Sequence, residues 1–281
     1  YKRQYCDSTN PDAFSGEKDS CGVGFIASVE GNRNHWVLSQ ALRGLSCMEH
    51  RGGCGGDGDS GDGAGILCEI PWSYLRQVWG TAKQCDPHLS GIGMIFMPKD
   101  SKNRETAKKI CEQEAESLGL TSKGWRDVPV HEEVLGKLAR ENEHFITQWI
   151  VDIKDKEINL EALLFRLRQR ISNRANIELK EDELGLYICS LSSKTIVYKG
   201  MVRSEVLESF YQDLRDPRFE VAFAVYQWCF LPNINICIVV IFCSKQFYFY
   251  NKMQNHQTHH PNIINKHHPI LFCYTMVYTN R

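Results

Sequence analysis

The sequence lacks a basic excess, long apolar runs and closely paired cysteines. Its 281 residues contain 33 Lys and Arg against 34 Asp and Glu, a balance that argues against a nucleic-acid partner because such proteins usually carry a positive surplus. No apolar run approaches the roughly 18–20 residues that cross a bilayer, so no membrane partner is expected. The twelve cysteines include no Cys-x-x-Cys pair, so zinc-ribbon and dithiol redox sites are not expected, and we interpret the thiols as reduced.

The segment from residue 228 to 281 has no Asp, Glu, Gly or Ala. All four residue types use codons that begin with G. Because such codons are scarce in AT-rich DNA, the composition is typical of translated AT-rich non-coding DNA. A segment without a carboxylate or a glycine is also unusual for a folded surface with turns. We therefore interpret 228–281 as a non-homologous tail that is disordered or translated non-coding sequence, with a genuine divergent extension as the alternative. Its histidines have no acidic or cysteine partner at a ligand spacing, so no metal site is predicted.

Before residue 228, helical and strand patterns alternate. The predicted helices cover 34–48, 71–78, 101–118, 160–171 and 205–214, and the predicted strands cover 21–29, 64–70, 92–97, 124–130, 145–151, 184–191, 195–198 and 219–226. The strands on either side of Ser192 and Ser193 are predicted to form a hairpin. Because several strands are adjacent in sequence, the pattern favours an antiparallel α+β fold over a Rossmann sheet. Gly22 and Gly24 fit a dinucleotide-binding spacing but lie inside a strand, so that interpretation is rejected.

Cys21 is the strongest candidate nucleophile. Residues 1–20 are polar and have no apolar signal-peptide region, and we interpret them as a leader or propeptide. If they are removed after Ser20, the α-amine of Cys21, with a pKa of about 7.7–8.0, can take the proton of a thiol with a pKa of about 8.5. One terminal residue would then supply both nucleophile and base. The alternative is a buried strand cysteine, which is commoner when no other feature is considered.

Several further segments accompany Cys21. They are Cys-Gly-Val-Gly-Phe at 21–25, His-Arg-Gly-Gly at 50–53, Gly-Asp-Gly-Ala-Gly-Ile at 61–66, Trp-Arg-Asp-Val-Pro-Val at 125–130 and Asp-Pro-Arg-Phe-Glu at 216–220. Over residues 21 to about 226, the set resembles the class II glutamine amidotransferases, and in particular the N-terminal domain of glutamate synthases of the ferredoxin-dependent type.

The resemblance implies a fold, a reaction and site residues. The fold would be an N-terminal-nucleophile hydrolase, a four-layer αββα sandwich formed by residues 21–227 and incomplete at its C-terminus. Cys21 would attack the side-chain amide of L-glutamine, release ammonia and form a glutamyl thioester that water hydrolyses. Arg51 would order the loop beside the nucleophile, and Gly52, with the glycines of 61–65, would allow close backbone approach. No cofactor is expected in this chain.

The same resemblance implies partners and a location outside the chain itself. The full-length enzymes would carry FMN and an iron–sulfur cluster in their synthase region, where ferredoxin would bind. The ferredoxin-dependent type suggests the stroma of a chloroplast or other plastid, with the cytoplasm as the alternative.

The sequence departs from the family pattern after Tyr226. The family continues into His-Gln-Arg, whose arginine binds the substrate carboxylate, whereas this chain continues into Gln227, Trp228 and Cys229. Nothing later resembles the Asn-Gly pair of the family's oxyanion hole. The sequence therefore predicts a truncated and impaired amidotransferase domain, with a non-catalytic remnant or mispredicted gene model as the main alternative. Another class II amidotransferase is a third possibility, but it would lack the middle segments.

Overall fold

The computed structural model describes residues 20–48, 61, 63–154, 157–179, 185–228 and 270–278. The strands are β1 Ser20–Ser28, β2 Ala64–Glu69, β3 Ser90–Met97, β4 Leu120–Asp127, β5 Phe145–Ile153, β6 Tyr187–Ser192, β7 Thr195–Gly200, β8 Phe223–Trp228 and β9 Ile270–Tyr278. The helices are α1 His35–Ser46, α2 Trp72–Val78, α3 Ser101–Ser117, α4 Lys137–Glu141, α5 Leu160–Glu178, α6 Leu207–Phe210 and α7 Gln212–Arg215. No helix within these ranges is long and apolar enough to cross a bilayer.

The described strands form two sheets. One has the strand order β7-β2-β8-β1-β9 and the other has the order β4-β5-β3-β6. Every neighbouring pair is antiparallel. The predicted α+β class is therefore confirmed, and a parallel Rossmann sheet is excluded for these strands. Gly22 and Gly24 lie within β1, as predicted, and not in a turn that opens a helix.

Helix α1 packs on the first sheet, against β1, β2 and β8. It begins after Asn34, whose side-chain oxygen accepts a hydrogen bond from the backbone N–H of Val37 at 3.0 Å, as an N-cap does. Its buried face follows the helical repeat and consists of Val37, Leu38, Ala41, Leu42 and Leu45. Trp36 lies outside this buried face and is 37% exposed.

Helices α3 and α5 pack together against the second sheet. Ile110 and Cys111 of α3 share a core with Leu164 and Leu167 of α5 and with Trp149 of β5, and all five are buried. Helix α3 is capped by the Asp100 carboxylate, which accepts from the backbone N–H of Asn103 at 2.8 Å. Ser101 is the first residue of the helix.

The predicted hairpin at Ser192 and Ser193 is wrong. Strand β6 pairs with β3 in the second sheet, whereas β7 pairs with β2 in the first, so the chain crosses between the sheets here. The Glu161 carboxylate fixes the crossing, because it accepts from the hydroxyls of Ser192 at 3.0 Å and Ser193 at 2.7 Å. Strand β6 is mostly buried and half of β7 is buried, so their sequence patterns do not reveal which sheet each joins.

The predicted helix 205–214 is divided into α6 and α7 by Tyr211. The backbone of Tyr211 is extended, with φ −94° and ψ 107°, and it forms an isolated antiparallel bridge with Val130. Its hydroxyl donates to the carbonyl of Lys199 at 2.7 Å, and its side chain is fully buried. These tertiary contacts interrupt a segment whose local pattern is helical.

Within the segment that the sequence interpreted as a tail without homology, the structure describes strand β9. This strand pairs with β1 along the whole of both strands, from Ser20 opposite Tyr278 to Ser28 opposite Ile270. Strand β1 therefore lies between β8 and β9.

Candidate functional site

Cys21 lies near the beginning of β1, where the two neighbouring strands differ in extent. On one side, the pairing with β8 begins with Gly22 opposite Trp228. On the other side, Cys21 itself pairs with Val277 of β9. The predicted nucleophile is thus the second residue of a strand inside the first sheet, immediately after Ser20.

Two glycines of β1 allow close packing next to Cys21. A Cβ atom on Gly22 would lie 2.8 Å from the sulfur of Met48, and one on Gly24 would lie 2.4 Å from the ring of Tyr226. A Cβ on Gly44 of α1 would lie 2.7 Å from the same ring. The Tyr226 ring is therefore held between β1 and α1, and any larger residue at either glycine would have to displace it.

The remaining predicted site residues, Arg51 and Gly52, lie outside the described residues. Of the glycine-rich segment that follows them, Gly61 is described and is buried. A Cβ there would lie 2.3 Å from the backbone nitrogen of Arg203 and 2.4 Å from the carbonyl carbon of Val202. Gly61 therefore permits a close backbone approach, and its neighbour is the turn after β7.

A buried polar network, which the sequence did not predict, joins the two sheets. The Asp213 carboxylate of α7 accepts two hydrogen bonds from the Arg126 guanidinium of β4, at 2.7 and 2.8 Å. It also accepts from the hydroxyls of Tyr74 at 2.8 Å and Tyr198 at 3.0 Å. Gln148 of β5 accepts from Arg126 at 2.7 Å and donates to the Tyr198 hydroxyl at 3.0 Å. Asp213 is fully buried.

The electrostatics of this network keep its protons in place. Burial and the negative charge of Asp213 raise the pKa of both Tyr74 and Tyr198 above their usual range. Burial alone would lower the pKa of Arg126, but hydrogen bonding and the charge of Asp213 outweigh it and raise that pKa. Since each tyrosine donates and the arginine stays charged, the network is a fixed connection between sheets and has no proton available for acid–base chemistry. Arg126 lies in the segment 125–130 and Asp213 lies just before the segment 216–220, both of which carried the family resemblance. Nothing in the spacing of the two residues indicates that they pair.

Five cysteines outside β1 have side chains that the structure describes, and they differ in exposure. Cys68, Cys85, Cys111 and Cys189 are buried, and burial raises the pKa of each, to about 11 for Cys189. Cys47 is exposed, at the end of α1. These five thiols are free. In the described part of the chain, no group of three or more His, Cys, Asp or Glu side chains could hold a metal ion.

A cavity of about 340 Å³ lies beside α4 and is lined by Val130, His131, Glu132, Glu133 and Arg140. The nearby Glu143 is buried, and neither of its carboxylate oxygens has a hydrogen-bond partner among the described residues. Burial and the charge of Glu132 raise its pKa to about 7, against the opposing effect of Lys99 and Arg140.

Comparisons with known proteins match most of the chain. The family model of class II glutamine amidotransferases matches residues 21–235, so the match begins at Cys21 and extends past residue 227. The chain is 43% identical over 222 residues to ferredoxin-dependent glutamate synthase 1, chloroplastic/mitochondrial, of Arabidopsis thaliana, and 43% identical over 221 residues to ferredoxin-dependent glutamate synthase 2 of a Synechocystis strain. It is 41% identical over 222 residues to the chloroplastic ferredoxin-dependent glutamate synthase of Spinacia oleracea. Each alignment covers 77% of this chain but only 14% of the relative's length.

Proposed function

Because this chain belongs to the class II glutamine amidotransferases, we propose that it acts on the side-chain amide of L-glutamine with Cys21 as the nucleophile. The observation that carries this proposal is the position of Cys21. It is the first residue of the family match and the second residue of a central strand, so removal of residues 1–20 would make it the N-terminus of the folded domain.

The chemistry follows from a terminal cysteine. The α-amine takes the thiol proton, and the thiolate attacks the amide carbon of glutamine to form a carbon–sulfur bond. The carbon–nitrogen bond then breaks, and the nitrogen leaves as ammonia after receiving the proton from the amine. Water hydrolyses the resulting glutamyl thioester, which gives glutamate and restores the thiol. While Ser20 is attached, the nitrogen is an amide and cannot serve as the base.

The finer architecture that we propose is a four-layer αββα sandwich. Support comes from the packing: α1 lies on the first sheet, and α3 and α5 lie on the second. A core of apolar residues from both sheets, including Ile66 of β2 and Ile92 of β3, is continuous between them. Within this arrangement, Arg51 and Gly52 would stand at the loop that follows α1 and precedes Gly61, and Arg51 would order that loop beside Cys21.

The departure after Tyr226 lowers the expected activity. In the family pattern, an arginine that binds the substrate carboxylate follows this position, and here the equivalent residue is Cys229. No Asn-Gly pair for the oxyanion hole follows, and losing one oxyanion donor alone typically costs about 100–1000-fold in rate. We therefore propose that the chain on its own turns over glutamine slowly or not at all. A purified chain that begins at Cys21, compared with its Cys21→Ala variant, tests this directly.

The assay has two readouts with different meanings. Mass spectrometry after exposure to a glutamine-mimicking electrophile reports whether the terminal thiol is reactive, and ammonia release from glutamine reports turnover. We expect labelling of Cys21, absent in Cys21→Ala, with little ammonia release. Absence of labelling in a chain shown to begin at Cys21 would overturn the assignment of the nucleophile.

The second candidate, a non-catalytic remnant or mispredicted gene model, is favoured by the same missing arginine. Sequencing the mature transcript distinguishes it, because a message that encodes His-Gln-Arg after Tyr226 would show that the native protein continues in the family pattern.

A wider role is proposed from the relatives' names. The chain would contribute ammonia to glutamate formation as the amidotransferase part of a glutamate synthase that uses ferredoxin, and its location would be the plastid, as the names of the chloroplastic relatives suggest. FMN and an iron–sulfur cluster would belong to the synthase part, which corresponds to the relatives' remaining length.

A further inference from the structure

Strand β9 is the only strand among the described residues that pairs with Ser20 and Cys21. The pairing of β1 with β8 covers residues 22–27, whereas the pairing with β9 covers 20–28. The peptide bond between Ser20 and Cys21 is therefore held on one side only, opposite Tyr278 and Val277.

The two strands also have compatible chemistry. Neither β1, with the sequence SCGVGFIAS, nor β9, with ILFCYTMVY, contains a charged residue. An uncharged strand with an unpaired edge readily recruits another strand, because its N–H and C=O groups need partners. Strand β9 satisfies those groups along the entire edge of β1.

We propose that residues 270–278 act as an intramolecular strap, which holds the Ser20–Cys21 bond in the β-ladder and must detach before that bond can be hydrolysed. An endopeptidase needs its substrate segment free and extended, so a bond within a ladder is cleaved only after local opening. In the hydrolysis, water adds to the Ser20 carbonyl carbon and the bond to the Cys21 nitrogen breaks, which leaves a carboxylate on Ser20 and a free amine on Cys21. The catalytic importance of this amine rests on the proposed function. The protection of the Ser20–Cys21 bond does not rest on it.

The geometry of an antiparallel ladder supplies a matched pair of variants. Successive N–H groups along a strand point to opposite sides, and among the described strands β9 is at the edge of its sheet. Of two neighbouring β9 residues, Tyr274 and Thr275, one N–H therefore faces β1 and the other faces away. Proline removes an N–H and is tolerated on an edge strand only where that group faces outward. Tyr274→Pro and Thr275→Pro should thus differ, although both place proline in the same strand.

The test uses the full chain with Cys21→Ala, which removes any reactivity of the thiol. Hydrogen exchange of the segment 20–28, followed by mass spectrometry, should show loss of protection at about half of its amides in one proline variant and near-original protection in the other, because the remaining amides bond to β8. An elastase-type endopeptidase, which accepts a small residue before the cleaved bond, should release the product that begins at residue 21 at least tenfold faster from the unprotected variant.

Unchanged exchange in both variants, equal losses in both, or equal cleavage rates would overturn the proposal. Because neither readout involves glutamine, failure of the glutaminase assay would leave the strap standing, and failure of these measurements would leave the role of Cys21 to be judged by its own assay.

Discussion

Replacing Asp213 by Asn should destabilise the protein strongly, although the two side chains have almost the same shape. Asp213 is fully buried and accepts four hydrogen bonds, two from Arg126 and one each from Tyr74 and Tyr198. The Arg126 side chain is only 11% exposed, so loss of the carboxylate leaves a nearly buried cation without its counter-ion. Breaking one side of a buried ion pair typically costs about 3–5 kcal/mol of unfolding free energy.

A matched control lies three residues further along the chain. Asp216 also binds an arginine through two oxygens, but its partner Arg218 is half exposed. The hydrogen bond from Arg218 lowers the pKa of Asp216 to about 2, yet solvent screens such a surface pair and keeps its contribution to stability small. Asp216→Asn should therefore lose only a minor fraction of the stability that Asp213→Asn loses.

Urea unfolding at pH 7 measures both variants, with the free energies compared at an unchanged m value. A third variant that combines Asp213→Asn with Arg126→Met removes both charges and should be more stable than Asp213→Asn alone, since the isolated cation is gone. The argument is refuted if Asp213→Asn costs less than about 1 kcal/mol, or if it is no more harmful than Asp216→Asn.

Two further predictions concern Glu143 and Gly24. The pKa of Glu143 is raised from 4.5 to about 7, so between these pH values the native state binds a proton that the unfolded state lacks, and stability falls as pH rises through that window. Glu143→Gln should therefore raise the unfolding free energy by about 1–3 kcal/mol at pH 8 and change it little at pH 4. Thermal or urea unfolding at both pH values measures this. Gly24→Ala should lose about 1–3 kcal/mol of unfolding free energy because its Cβ would lie 2.4 Å from the Tyr226 ring. Gly80→Ala, whose Cβ would meet no described atom within 4 Å, should stay within about 0.5 kcal/mol of the original, and equal effects would contradict this packing argument.

Much of the fold could be predicted from local patterns. The apolar repeat of α1 and its Asn34 cap are both visible in the sequence, and the helical spacing near Leu164 and Leu167 correctly predicted α5. In these elements, the buried face lies on one side of a regular helix, so sequence spacing and tertiary packing impose the same structure. Helix α5 continues to Glu178, beyond the predicted end at 171. The prediction stopped early because Ile171 and Ala175 are the buried residues of these last turns, which makes the apolar pattern weaker there.

Elements defined by distant partners could not be predicted in the same way. Strands β6 and β7 are separated by a short turn, the usual spacing of a hairpin, but Glu161 from α5 holds that turn where the chain changes sheets. Tyr211 interrupts a helical pattern because it bridges to Val130, about eighty residues earlier. In both cases, the deciding contact is remote in sequence and leaves no local signal.

The candidate site also has parts that could be predicted from the sequence and parts that could not. The strand containing Cys21 could be predicted from its β-rich pattern, whereas a close backbone approach in the segment of Gly61 was an expectation from the family resemblance. The pairing of Arg126 with Asp213 could not, because charged residues are usually expected on the surface and the two lie in separate segments. The family resemblance identified the segments around both residues without indicating that they meet.

The pairing of β1 with β8 and with β9 also determines which substitutions can affect the backbone at Cys21. Substitutions in β8 act on residues 22–27 and so alter the strand only beyond Cys21, whereas substitutions in β9 reach Ser20 and Cys21 themselves. The proposed chemistry needs a free amine at Cys21, and the ladder that must open to expose the preceding bond is formed by residues outside the stretch matched by the family model. A change in 270–278 should therefore alter the release of this amine while the core between the sheets stays intact, an effect that the family pattern alone would not predict.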